Sequence, residues 1–221
     1  MELNLTPVEA RVLGSLIEKS LTTPEYYPLT LNSLVAACNQ KSNRDPAMQI
    51  DDKSVIRALD ALRDKKLAWS VALAGSRAPK YRHSAPDVLN LTPIQLAVLC
   101  ELMLRGPQTL AELRIRAARM APVTDTTEVE SVLQSFADWP TGPLACRLPR
   151  QPGQREERYM HRLSGEEPVT AAETEPHPEA ARLVVMAENE RIAALDARIA
   201  VLETELTQLR TRMSDFMRQF Q

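Results

Sequence analysis

The sequence predicts a mainly α-helical α+β protein: two tandem winged-helix domains with small β-hairpins, then a C-terminal coiled-coil helix. Three observations carry that prediction. Leu3-Asn4-Leu5-Thr6-Pro7 returns as Leu89-Asn90-Leu91-Thr92-Pro93, and the same offset maps Val12-Leu13 onto Val98-Leu99. Within each copy a helical period gives way to a strand, a turn and a second strand. From Ile192 onward the apolar residues recur at alternating spacings of three and four. Two copies of one domain are implied, not a solenoid, which needs several shorter repeats. The boundaries read as 1–87 and 88–163 for the two domains, 164–180 for a Pro- and Glu-rich flexible linker, and 181–221 for the coiled coil.

Each copy opens with the same helix start. Thr6 or Thr92 is the N-cap, and Pro7 or Pro93 takes the first helical position, where a missing N–H costs nothing. In the first copy Val8, Val12, Leu13, Leu16 and Ile17 share one face, which predicts a helix to about Lys19. Thr30 caps a second helix, carrying Leu31, Leu34 and Val35 to about Cys38. Asp51-Asp52 suits the start of a third, with Val55, Ile56, Leu59 and Leu62 expected to face inward. Leu67–Leu73 and Lys80–His83 then read as the strands of a hairpin turning at Gly75–Pro79. Three helices and a hairpin in this order are the winged-helix form of the helix-turn-helix. The second copy repeats it: helices at 93–105, 109–120 and 126–138, then a hairpin over 144–163. Its Arg158-Tyr159-Met160-His161 echoes Lys80-Tyr81-Arg82-His83.

In the tail, Ile192, Ile199, Leu206, Met213 and Phe220 take position a of a heptad, and Leu195, Leu202, Leu209 and Phe216 take position d. β-Branched residues at a with Leu at d favour a parallel dimer. Arg191 with Asp196, Arg198 with Glu203, and Glu205 with Arg210 are then attractive pairs across the seam. The expected partner is a second copy of the chain.

Composition narrows the function. The 221 residues are 44% hydrophobic but only 4% aromatic, so the cores must be aliphatic. Six Gly against sixteen Pro argue for well-terminated helices. Cys38, Cys100 and Cys146 form no CxxC pair, and their number is odd, so neither a disulfide framework nor a zinc site is indicated. Buried free thiols are expected. No apolar run approaches the roughly 18 residues of a membrane span, and MELNLTPVEA lacks the form of a signal peptide. A cytoplasmic protein without membrane contact is expected. There is no GxxxxGK[ST] loop and no HExxH. His83, His161 and His177 are dispersed, and no Ser or Cys stands by a candidate base. No enzyme, cofactor or metal is expected.

Charge is distributed unevenly. The net charge is −2, yet residues 39–83 hold ten Lys/Arg against five Asp/Glu, and residues 166–221 hold six Arg against eleven Asp/Glu. The basic stretch contains CNQKSNRDP, Cys38 to Pro46, which connects the second helix to the third. In a helix-turn-helix the third helix enters the major groove with its N-terminal residues on base edges, and the turn before it lies by the phosphates. Lys41, Ser42, Asn43 and Arg44 are therefore the candidate phosphate contacts, and Lys53, Ser54 and Arg57 the candidate base contacts. Arg77, Lys80 and Arg82 on the hairpin could touch an adjacent groove. Against this, Asn43, Asp45 and Pro46 could simply shape a turn, and Asp51, Asp52, Asp60 and Asp64 would repel phosphate. From Thr124 to Asp138 the third helix of the second copy with its start has no Lys or Arg and four acids, Asp125, Glu128, Glu130 and Asp138, so that copy is expected to pack against the first or against a partner.

The repeat, together with TPVEARVLGSLIEKSLTTPEYYPLTLNSLVAACNQKSNRDP, resembles the YceH-like family of bacterial proteins. The likeness covers nearly the whole chain, and CNQKSNRDP is its most specific piece. It implies a tandem winged-helix fold and supplies no activity, cofactor or site residue. Two functional readings arise from the residues alone. One is a dimeric, transcription-regulator-like protein that binds double-stranded DNA through its first winged helix. The other is a non-catalytic protein-interaction scaffold using the winged helices and the coiled coil.

Overall fold

The computed structural model describes residues 3–72, 78–150 and 156–164, together with residue 198. The chain divides into two compact units, Met1–Glu167 and Pro168–Gln221, and all the described residues except residue 198 belong to the first. The heptad residues Ile192 to Phe220 lie outside the described residues, as do Arg77 and His177.

The first unit is a mixed α+β structure. Among the described residues it holds seven α-helices and two small antiparallel sheets. Helix α1 (Pro7–Thr22) starts as its sequence predicts. Thr6 Oγ1 accepts from the Glu9 N–H at 3.2 Å, and Glu9 Oε2 accepts from the Thr6 N–H at 3.2 Å, a reciprocal capping box. Helix α5 (Pro93–Arg105) starts identically with Thr92 and Gln95. Between them come α2 (Leu31–Cys38), α3 (Asp52–Asp64) and the five-residue α4 (Ala85–Leu89). After α5 come α6 (Leu110–Ala117) and α7 (Thr126–Ala137). Thr30, Asp51, Thr109 and Asp125 each cap their helix through a side-chain oxygen, so every long helix carries its own start signal.

Strands β2 (Ala68–Val71) and β3 (Lys80–His83) pair antiparallel, Ala68 opposite His83 and Val71 opposite Lys80. Strands β4 (Ala145–Leu148) and β5 (Arg158–His161) pair the same way, Ala145 opposite His161. The first sheet also has a two-residue strand β1 (Leu29–Thr30) on the far side of β3, giving the order β1-β3-β2. Elements as short as β1 and α4 carry no readable period, so neither is visible in the sequence.

One hydrophobic core runs through both copies. Its centre is the packing of α1 on α5, the most extensive helix pairing in the unit. Equivalent positions of the repeat meet there: Cys100 Sγ lies 3.3 Å from the Gly14 carbonyl oxygen, and these residues are one repeat apart. Residues that touch their own counterparts are the mark of an isologous contact. Gly14 permits the approach, because a Cβ there would lie 2.9 Å from Leu104 Cδ2. Cys38 and Cys100 are buried free thiols, whereas Cys146 is only half-buried.

One inward assignment needs correction. Val55, Leu59 and Leu62 are buried as expected, but Ile56 is 41% exposed and Ala58 takes the inward place. The buried stripe is 55, 58, 59 and 62, the spacing that keeps one helix face inward. Ile56 falls on the opposite stripe with Lys53, Arg57 and Asp60.

Candidate nucleic-acid interface

Helix α3 presents that outward stripe near its N-terminal end. Lys53 and Arg57 are exposed, and Ser54 is half-buried at the start of the helix. Asp51 Oδ1 accepts from the Ser54 N–H at 2.9 Å, and hydrogen bonding from Ser54 holds the Asp51 carboxyl below its ordinary pKa. Asp60 pairs with Arg63 at 3.1 Å on the exposed face. On the hairpin, Arg82 is exposed opposite Trp69, and Lys80 is half-buried between Val71 and Thr30.

The preceding connection divides into two kinds of residue. Lys41 and Ser42 are exposed. Arg44 is not, which corrects its assignment as a phosphate contact. Its guanidinium is fully buried, with Nη2 at 2.6 Å from Glu18 Oε2 and Nη1 at 3.3 Å from Glu18 Oε1. The same group donates to the Ala37 carbonyl from Nε at 3.1 Å and Nη2 at 2.9 Å, and to the Asn43 carbonyl from Nη1 at 2.7 Å. Arg44 thus satisfies a carbonyl at the C-terminal end of α2, where intrahelical partners run out. Burial works against the Glu18 charge, but the Arg44 hydrogen bonds and charge prevail and hold its carboxyl below the ordinary value. A side chain so fully engaged has no donor left for a phosphate.

Asn43 is also committed. It adopts a left-handed backbone with φ of 62°, a conformation Asn tolerates better than most residues. Its Oδ1 accepts a hydrogen bond from Arg105 Nη2, at the end of α5 in the second copy.

The remainder of the connection is tied down at each step. Asn39 and Ile50 exchange two hydrogen bonds of 2.8 Å, the Asn side chain standing in for a backbone partner. The Asp45 N–H donates to the Leu104 carbonyl at 2.9 Å. Arg11 of α1, itself buried, donates to the carbonyls of Cys38 at 3.1 Å and Pro46 at 2.6 Å. Arg105 Nε stands 2.9 Å from Glu101 Oε2, an ion pair without hydrogen-bond alignment. Burial raises the Glu101 carboxyl, with the Arg105 charge opposing. Arg11, Glu18, Glu101 and Arg105 carry this framework, and none is among the candidates the sequence suggests. The available signal is charge on strongly apolar helices: Arg11 and Glu18 are seven apart on α1, and Glu101 and Arg105 four apart on α5.

The exposed set is therefore Lys41, Ser42, Lys53, Arg57 and Arg82, with Ser54 and Lys80 partly accessible. Its ammonium, guanidinium and hydroxyl groups are donors suited to phosphate oxygens. The other half of CNQKSNRDP is scaffolding. Among the described residues no group of three or more His, Cys, Asp or Glu is placed to hold a metal ion, and no helix is long and apolar enough to cross a membrane.

Taken together, fold and surface define a small α+β protein with a repeated helical unit, whose first copy exposes Lys53 and Arg57 beside Asp51 and Asp52 at the start of α3. Residues 5–154 match the family model described as "Protein of unknown function, DUF480". The chain is 58% identical over 196 residues to a UPF0502 protein of Geobacter sulfurreducens, covering 89% of each. It is 54% identical over 221 residues to one of Geotalea uraniireducens, covering the whole of both, and 51% identical over 174 residues to one of Opitutus terrae, covering 79% of this chain and 76% of that one. The chain belongs to the DUF480 (UPF0502) family of bacterial proteins, in agreement with the resemblance carried by CNQKSNRDP.

Proposed function

We propose that the chain is a non-catalytic, transcription-regulator-like protein that binds double-stranded DNA through its first copy, read as a winged helix with α3 as the groove-entering helix. The second copy is read as a second winged helix, and the heptad tail as a coiled coil joining two chains. The observation that carries the reading is the exposure of Lys53 and Arg57 on the outward N-terminal part of α3. Exposed Lys41 and Ser42 in the connection before it, and Arg82 on the hairpin, support it. Groove-entering helices read base edges from this end, while the preceding turn holds phosphates.

The test is a fluorescence-anisotropy titration of random duplex DNA at low and moderate salt, comparing the natural protein with Lys53→Ala/Arg57→Ala. Binding that weakens steeply with salt and fails in the variant supports the reading. Lys41→Ala, which removes one phosphate neutralisation, should flatten the slope of log K against log salt by about 1. No binding at low salt would sink it.

A second reading rests on a different observation. Ile56, 41% exposed, sits between Lys53 and Arg57 on the outward stripe of α3, and the third helix of the second copy carries Glu128 and Glu130 without a Lys or Arg. An apolar side chain between charges suits a protein partner. This scaffold reading predicts that Ile56→Asp abolishes capture of that partner while salt-sensitive DNA binding is absent throughout.

A further inference from the structure

We propose that Arg105, at the end of α5 in the second copy, is a positioning residue that holds the connection leading into α3 and so fixes where Lys53 and Arg57 stand. The proposal rests on the DNA reading above and deepens it, because it gives the second copy a task other than touching DNA.

Three contacts between the copies converge on the stretch Asn43–Pro46. Arg105 Nη2 donates to Asn43 Oδ1, the Asp45 N–H donates to the Leu104 carbonyl at 2.9 Å, and Gly106 brings its backbone close enough that a Cβ would stand 3.8 Å from the Asp45 carbonyl oxygen. Gly106 does so at a φ of 63°, a positive value that ends α5 and lets the chain turn away. Arg105 is itself aimed by the Glu101 carboxylate, which is buried one helical turn back.

From the other side, α1 grips the same stretch. Arg11 holds the Pro46 carbonyl, and Glu18 holds Arg44. The connection is thus pinned between its own first helix and the second copy. Only Lys41, Ser42, Asp45, Pro46, Ala47 and Gln49 of it are exposed. From Pro46 the chain runs five residues to the cap Asp51, with the Asn39–Ile50 exchange closing the loop just before it. A displacement at Asn43–Pro46 therefore passes to the N-terminal turn of α3, which carries Lys53 and leads into the turn with Arg57.

The acidic third helix of the second copy is then no contradiction. A copy that positions need not itself read a polyanion.

Two variants test this in the full chain. Asn43→Gly removes the acceptor while keeping a residue that tolerates the left-handed backbone. Arg105→Met with Glu101→Gln removes the donor without leaving a buried charge unpaired. The first readout is hydrogen exchange of amides 39–51, and the second is affinity for random duplex DNA across salt. The expected result is exchange about tenfold faster in 39–51 with α1 protection unchanged, the pattern of local rather than global opening. DNA affinity should fall about five- to tenfold with the salt slope kept, since no phosphate contact is deleted. Unchanged exchange in 39–51 overturns the clamp. Faster exchange with unchanged affinity overturns the link to docking. If the natural protein binds no DNA, the DNA reading fails and the docking role fails with it, while the exchange data still decide whether Arg105 clamps the connection.

Discussion

At the scale of single residues, the buried Arg44–Glu18 pair separates what the connection is from what it resembles. A sequence offers Lys41, Ser42, Asn43 and Arg44 as four equivalent polar groups. Burial divides them, because an ionised guanidinium leaves water only where a carboxylate and carbonyls replace its hydration. Here Glu18 and the Ala37 carbonyl do so. Removing one partner of such a pair strands the other. Arg44→Ala should therefore cost about 3–5 kcal/mol of stability, read as a lowered urea midpoint, whereas Lys41→Ala should fall within about 0.5 kcal/mol of the natural protein. Equal small effects would show that Arg44 is solvated and return it to the candidate contacts. Gly14 is the second residue whose size decides something. An added methyl would meet Leu104 Cδ2 at 2.9 Å and Met103 Cβ at 3.4 Å, against side chains fixed between two helices. Gly14→Ala should destabilise by about 1–3 kcal/mol despite Ala being the better helix former, and thermal unfolding would measure it.

At the scale of elements, both hairpins hold a half-buried histidine at the end of the return strand, its Nδ1 shut off from solvent. His83 Nε2 shares a 2.8 Å hydrogen bond with Ser20 Oγ, and the His83 N–H donates to the Tyr27 hydroxyl oxygen at 2.6 Å. Burial and the neighbouring Arg82 charge push the His83 ring down to about 4, with Asp87 opposing, and burial alone pushes His161 to about 4. As pH falls, the unfolded chain takes up these protons first. The contribution of the neutral rings is full above about pH 6.5 and is lost progressively toward pH 4, on the order of 3 kcal/mol per ring. Glu101, raised by burial, offsets part of that loss, while Glu18 adds to it as its carboxylate is protonated. The denaturant midpoint should fall between pH 6.5 and 4.5, and His83→Gln/His161→Gln should flatten that fall. A flat profile in the natural protein would mean the rings are solvated. The elements themselves are largely legible in the sequence. Thr-Pro starts, aliphatic periods and the Tyr-x-His echo locate the long helices and both hairpins, because caps and periods are local signals. Arg44, Ile56 and the two-residue strand Leu29–Thr30 are not legible, because each depends on something beyond the local pattern: Glu18 for the first, the choice of Ala58 as the inward residue for the second, Tyr81 and Lys80 for the third.

At the scale of the whole molecule, two couplings can be tested. The heptad residues Ile192, Leu195, Ile199, Leu202, Leu206, Leu209, Met213 and Phe216 are proposed to pair two chains, so sedimentation equilibrium should return twice the 24.7 kDa chain mass. Leu202→Asp/Leu209→Asp should return it to one, since a charge at d faces its own copy across the seam. The second coupling lies within the first unit. The core is continuous from Leu5 to Leu163, α1 and α5 meet at Gly14 and Cys100, and the Leu5 N–H donates to the Leu163 carbonyl at 2.7 Å, closing the first copy onto the last strand end of the second. Separate domains joined by a linker would unfold in separate steps. Here neither copy can open without exposing the α1–α5 contact, so the two should unfold together. Phe136 supplies the test, because it is fully buried in the second copy and packs edge-on near Trp139, far in sequence from α1. Phe136→Leu should cost about 1–2 kcal/mol, below the roughly 3–5 kcal/mol of full truncation to Ala. If the copies are coupled, hydrogen exchange of the slowest amides in α1 should quicken by the same factor as those in α7. If α1 keeps its protection while α7 loses its own, the copies are independent in stability, and the clamp on Asn43–Pro46 would have to act without a shared core behind it.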